Sequence, residues 1–208
     1  MVFHGVPSLI QRLFPNRVWE GDPDTQSVFL TFDDGPVPGI TDFVLNELDK
    51  RRQKATFFMV GDNMRKNPNL AREVIQAGHQ VGNHTFNHLN GWKTDTASYL
   101  SNFEKAEKTI EDILSQKTRF FRPPYGLITS SQASAIRTTH QVIMWSVLSG
   151  DYRKGILQER VIEQSCKRTR KGSVVVFHDQ EKTAEILPKV LPVYLDFLLS
   201  EGYQTQLL

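Results

Sequence analysis

Short apolar runs alternate along this chain with longer stretches in which apolar residues recur every three or four positions. The runs at 27–32, 55–60, 80–84, 119–122, 141–145, 173–178 and 203–207 read as strands. The stretches at about 40–52, 68–78, 94–115, 130–138, 157–168 and 183–201 read as helices. Such alternation predicts parallel strands joined by helical crossovers. Seven strands suit a closed or partly closed barrel better than an open two-sided sheet, although spacing alone leaves both open. Asn67-Pro68 sets a capping residue before a first-turn proline, and Gly78 stands where that helix should stop.

Near the N-terminus, Leu9, Ile10, Leu13 and Phe14 fall on one helical face after Pro7-Ser8. A short helix packed on the domain is the expectation, ahead of a membrane-surface anchor. Residues 1–14 carry no basic leader, unbroken apolar stretch or small-residue cleavage site, so no export signal is read there. No stretch has the length of a transmembrane helix. The chain has 208 residues, 39% of them apolar and 23% charged, which fits one soluble α/β domain with a full core. A net charge of +2 is too mild to argue for nucleic acid, and no nucleic-acid partner is expected. The run Lys167-Arg168-Thr169-Arg170-Lys171 reads as a solvated helix end, with contact to an anionic surface the lesser alternative. Cys166 is the single cysteine, which excludes an intrachain disulfide and a thiolate metal cluster.

The polar residues with chemical potential gather at one end of the predicted strands. Asp33 and Asp34 follow the first, His84 and His88 the third, and Arg122 ends the fourth; Asp151 follows the fifth and His178 ends the sixth. Parallel α/β barrels collect their sites at that face. Thr31-Phe32-Asp33-Asp34-Gly35-Pro36 taken alone is a strong turn signal. Yet two adjacent carboxylates at a buried strand end are costly to hold unless something cationic meets them.

His84 and His88 are four apart, so one helical turn would set both on the same face. With a carboxylate they could complete a three-ligand site for a divalent metal, although paired histidines at this spacing are more often ordinary surface residues. Arg122-Pro123-Pro124-Tyr125-Gly126 is a stiff loop that could fix Arg122 beside a carboxylate and favour its ionised form. Val174-Val175-Val176-Phe177-His178-Asp179 ends an apolar run in a histidine. His4, His79 and His140 are assigned to structure. Trp19 and Trp92 suit either core packing or contact with sugar rings.

Four of these segments, 31–35, 84–88, 122–126 and 176–178, resemble in order the motifs of the polysaccharide deacetylase family, the NodB-homology carbohydrate esterases. The resemblance runs from about residue 27 to 207. It implies a single-domain, distorted (β/α)7 barrel at 27–208 preceded by an N-terminal extension at 1–26. It also implies metal-dependent removal of acetyl groups from N-acetylglucosamine-containing glycans, such as chitin oligosaccharides or peptidoglycan, or from acetylated xylan.

Position by position, the resemblance makes Asp33 the general base and Asp34, His84 and His88 the metal ligands. Arg122 would hold the base, and the Tyr125 backbone N–H would serve the oxyanion. His178 would be the general acid, oriented by Asp151. The implied cofactor is a divalent ion, Zn²⁺ first, with Co²⁺ or Ni²⁺ also suited. The implied partner is an acetylated glycan or amino sugar, bound by a monomer.

Two departures stand out. The family's Asp-x-x-Asp-Trp appears as Leu148-Ser149-Gly150-Asp151-Tyr152, and its Leu-x-His as Val176-Phe177-His178. Tyr152 and Val176 are therefore expected to wall the acetyl pocket with a slightly altered shape. An O-acetyl esterase acting on xylan, or a non-catalytic glycan binder on the same scaffold, is the competing reading. The lack of a leader points to the cytoplasm, whereas the substrate class points to the cell envelope.

Overall fold

In a computed structural model describing residues 4–208, the first strand, β1 (Ser27–Asp33), runs through the middle of a parallel sheet. The others are β2 (Thr56–Met59), β3 (Gln80–Asn83), β4 (Phe120–Phe121), β5 (Gln141–Val142), β6 (Val147–Leu148), β7 (Val174–His178) and β8 (Gln204–Thr205). Their order is β5-β4-β3-β2-β1-β7-β6, with β8 pairing alongside β1. The curled sheet is a distorted (β/α)7 barrel, as the family resemblance implied.

Two-residue alternation sorts the side chains of β1. Val28, Leu30 and Phe32 join Phe57, Met59, Val175 and Phe177 in the large core beneath the helices. Phe29, Thr31 and Asp33 alternate with them. Phe29 packs into a second cluster with Phe58, Ile143 and Val174, and Thr31 and Asp33 are reached by Arg122. The register sets Asp33 opposite Phe58 on one side and opposite His178 on the other.

The helices are α1 (Ser8–Leu13), α2 (Ile40–Lys50), α3 (Gly61–Lys66), α4 (Pro68–Gln76), α5 (Thr96–Leu114), α6 (Ser130–Ile136), α7 (Gln158–Arg168) and α8 (Leu187–Ser200). Asp95 caps α5 by accepting the Ser98 N–H at 2.9 Å, and Thr129 with Gln132 forms a capping box on α6.

Four expectations change. The run 141–145 is one strand in the sequence reading, but the chain leaves the sheet after Val142 and re-enters as β6. No ladder joins β5 to β6; the N-terminal segment bridges that seam through Val18 to Ile143 and Gly5 to Val147. Asn67 stands at the N-cap of α4 with Pro68 in its first turn, but its side chain makes no capping bond; its Nδ2 donates to the carbonyls of Pro36 and Asn63. Helix α3 was not foreseen. Finally, α1 forms but is not packed: none of its residues is buried, and Leu9 and Leu13 are 68% and 66% exposed.

Candidate active site

Asp33 ends β1 almost completely buried, and its Oδ1 accepts a hydrogen bond from Arg122 Nη1 at 2.7 Å. Arg122 has no exposed surface. Nη1 also donates to Thr31 Oγ1 at 2.7 Å, Nη2 to the Met144 carbonyl at 2.9 Å, and Nε to the Ile143 carbonyl at 3.3 Å. The guanidinium lies 4.1 Å from the centre of the Phe58 ring. A buried arginine this fully partnered holds one carboxylate oxygen in one place.

One residue later the backbone turns to a positive φ of 82° at Asp34, which sends its side chain a different way. The turn is held by Asp34 N–H donating to the Phe58 carbonyl and by Asn63 Nδ2 donating to the Asp34 carbonyl at 2.7 Å. Asp34 Oδ1 lies 3.0 Å from His88 Nε2 and 3.4 Å from His84 Nε2. Burial alone would raise the Asp34 carboxyl, but the two imidazoles, when they carry positive charge, hold it well below the usual carboxylate range.

The two histidines do not share a helical turn. Residues 84–88 form a loop with positive φ at Thr85 and His88. Side chains impose that shape: Asn83 Oδ1 accepts the Thr85 N–H, and Asn102 Oδ1 accepts those of Phe86 and Asn87. The loop brings the rings to a centroid separation of 5.0 Å.

The donor set fits a cation. His84 Nδ1 is 2.7 Å from the Arg122 carbonyl, which can only accept, so Nδ1 carries the proton. In the neutral ring, Nε2 then presents a lone pair toward Asp34, whose buried Oδ1 has no hydrogen-bond partner. Ligand atoms of Asp34, His84 and His88 all lie within 4.8 Å of one another. Lone pairs converging without a shared proton repel unless a positive ion sits between them, and a His₂Asp set with a remotely hydrogen-bonded imidazole is typical of divalent-metal sites.

Across the cleft, His178 Nδ1 lies 2.7 Å from Asp151 Oδ1, and its backbone N–H donates to Asp151 Oδ2 at 2.8 Å. Ser149 Oγ donates to the same carboxylate at 2.9 Å. Burial works against the imidazolium, yet the Asp151 carboxylate beside it pushes His178 up to about 9. The Tyr152 ring meets it edge-on with centroids 4.9 Å apart. Tyr125, at φ 61°, places its hydroxyl 3.2 Å from His88 Nδ1.

Asp33, Asp34, His84, His88, Tyr125, Tyr152, Val176 and His178 all line one cleft of about 590 Å³, joined by Trp145 and Leu148. Arg122 and Asp151 support it from below. Trp19 is core, while Trp92 is exposed and outside the cleft lining. His4, His79 and His140 bond elsewhere, to Leu148, Ala55 and Thr139 respectively.

Sequence reasoning gave Asp179 no role. Its fully buried carboxylate accepts the Gly35 N–H at 3.1 Å and the Thr41 hydroxyl at 2.6 Å, and its own N–H donates to the Asp33 carbonyl. It therefore ties the loop carrying both site carboxylates to the end of β7. Desolvation pushes its carboxyl up to about 8. The available signal was position: Asp179 directly follows the end of β7, as Asp33 and Asp34 stand at the end of β1.

The family model for polysaccharide deacetylase matches residues 20–142. The chain belongs to the polysaccharide deacetylase family. It is 34% identical over 203 residues to a peptidoglycan-N-acetylglucosamine deacetylase of Bacillus cereus, covering 89% of this chain and 88% of that protein. To a chitooligosaccharide deacetylase of Bradyrhizobium it is 34% identical over 171 residues, covering 80% and 77%. The solved Bc1960 peptidoglycan N-acetylglucosamine deacetylase superposes with a TM-score of 0.88 at 29% identity, covering 93% of this chain and 91% of that one. Some relatives are longer: the chain spans 65% of a second Bacillus cereus peptidoglycan deacetylase.

Proposed function

We propose that this protein is a metal-dependent hydrolase that removes N-acetyl groups from N-acetylglucosamine-containing glycans, chitin oligosaccharides or peptidoglycan. The observation that carries the reading is the division of the adjacent carboxylates: Asp33 is bound to Arg122, and Asp34 faces the Nε2 atoms of His84 and His88. Asp34, His84 and His88 would hold the divalent ion, Zn²⁺ first, which when bound supplies Lewis acidity and brings the pKa of water to about 7.

Asp33, with one oxygen fixed by Arg122, takes the proton of the attacking water with the other. The Tyr125 backbone N–H donates to the developing oxyanion, a contribution typically worth roughly 10²–10³ in rate. His178, kept as imidazolium by Asp151, gives its proton to the leaving amine. Tyr152, Val176, Trp145 and Leu148 wall the acetyl group. The substrates named for the Bacillus and Bradyrhizobium relatives support the choice of glycan.

The experiment is acetate release from N-acetylchitooligosaccharides, peptidoglycan and acetylated xylan, before and after chelation and on zinc restoration. Release from either N-acetylated glycan, lost on chelation and regained with zinc, is expected. Release from xylan alone would make the protein an O-acetyl esterase. No release from any, with no ion retained, would overturn the mechanism.

A further inference from the structure

Two features remain that the cleft does not use, and they adjoin each other. Helix α1 exposes Leu9, Ile10, Leu13 and Phe14 together. Beside it lies a second cavity of about 420 Å³, with Pro7 and Gln11 on one wall and Lys167, Arg168 and Arg170 on the other. Arg12 closes α1, and Arg17 stacks over the Phe14 ring at 4.2 Å. Glu20 answers Arg170, but among the described residues Arg12, Arg17, Lys167 and Arg168 form no salt bridge.

The position is as informative as the composition. Ser146, just before β6, and Glu20, bridged to Ser173 just before β7, also line this cavity. It therefore sits where the strands begin, and the cleft sits where they end.

We propose that this end of the molecule docks on an anionic phospholipid surface, with the apolar face of α1 entering the interface and the flanking cations meeting headgroups. Charge decides the occupant. A second copy seated on α1 about a two-fold axis would bring its own arginines and lysine against these, a repulsive arrangement. A soluble polyanion would engage the cations and leave the apolar face in water. An apolar face with basic flanks matches the lipid boundary, where burial and headgroup attraction act together. Docked this way, the cleft opens away from the bilayer.

The test is co-sedimentation of the full chain with phosphatidylglycerol–phosphatidylcholine vesicles and with phosphatidylcholine vesicles alone. Partition onto the anionic vesicles is expected, weakening with salt. Leu9→Ser with Leu13→Ser should lower it roughly tenfold or more. Lys167→Glu with Arg168→Glu should lower it by at least roughly fivefold per cation. Circular dichroism and acetate release from soluble oligosaccharide should not change in either variant, because the cleft is remote. No partition onto anionic vesicles, or partition that both variants leave intact, would overturn the proposal. So would a concentration-dependent dimer abolished by Leu9→Ser with Leu13→Ser, which would assign the face to a second copy.

Discussion

Replacing Asp151 by Asn keeps the shape of the carboxylate and removes its charge. His178 stands at about 9 against an ordinary 6.5, a difference equivalent to about 3 kcal/mol in favour of the imidazolium. That preference survives a burial effect of opposite sign; Asp151 is the largest of the groups that oppose burial, with Asp34 and Asp33 behind it. The sign for stability follows: the contribution is complete below pH 6.5 and is lost as pH rises through about 9.

In the Asn variant the largest opposition to burial is gone, only the more distant Asp34 and Asp33 remain, and the imidazole falls to about its ordinary value. The alkaline limb of kcat should move down by about two pH units or more, and activity at pH 8 should drop roughly 30-fold or more. NMR of the imidazole Cε1–H in metal-free protein reads the titration directly, and acetate release reads the consequence. An alkaline limb unmoved by Asp151→Asn would refute both the origin of the His178 shift and its role as acid.

Three further outcomes are expected. Arg122→Met should cost about 3–5 kcal/mol in urea unfolding, because it leaves the Asp33 carboxylate buried without its cation. Asp33→Asn should abolish acetate release while zinc content by metal analysis stays near wild type; undiminished turnover would sink the base assignment. Asp179→Ala should weaken zinc affinity about 10- to 100-fold in a competition titration by freeing the Gly35 loop. Asp179→Asn, which retains an acceptor, should recover most of that loss.

The alternation of apolar runs and helical stretches made the parallel fold legible, because buried strands and amphipathic helices leave different periods. The site residues were legible because they fall at strand ends, where topology rather than sequence distance brings them together. The division at 142–147 was not, since the chain that leaves the sheet and re-enters it stays apolar apart from Ser146 and buried apart from the half-buried Trp145. The segment 84–88 is a loop rather than the helical turn that four-residue spacing predicts. Asn83 and Asn102 bend it through side-chain bonds that carry no periodic signature. The expected packing of α1 failed for a related reason: an apolar face predicts burial without specifying in what.

Arg122 is engaged twice, and the two engagements are chemically independent. Its guanidinium fixes Asp33, whereas its main-chain carbonyl fixes the tautomer of His84. Any substitution at this position forfeits the first and retains the second, since every amino acid supplies the carbonyl. On the proposed mechanism, proton transfer would then be lost by point mutation while the geometry for holding an ion is kept, a short route from hydrolase to binder.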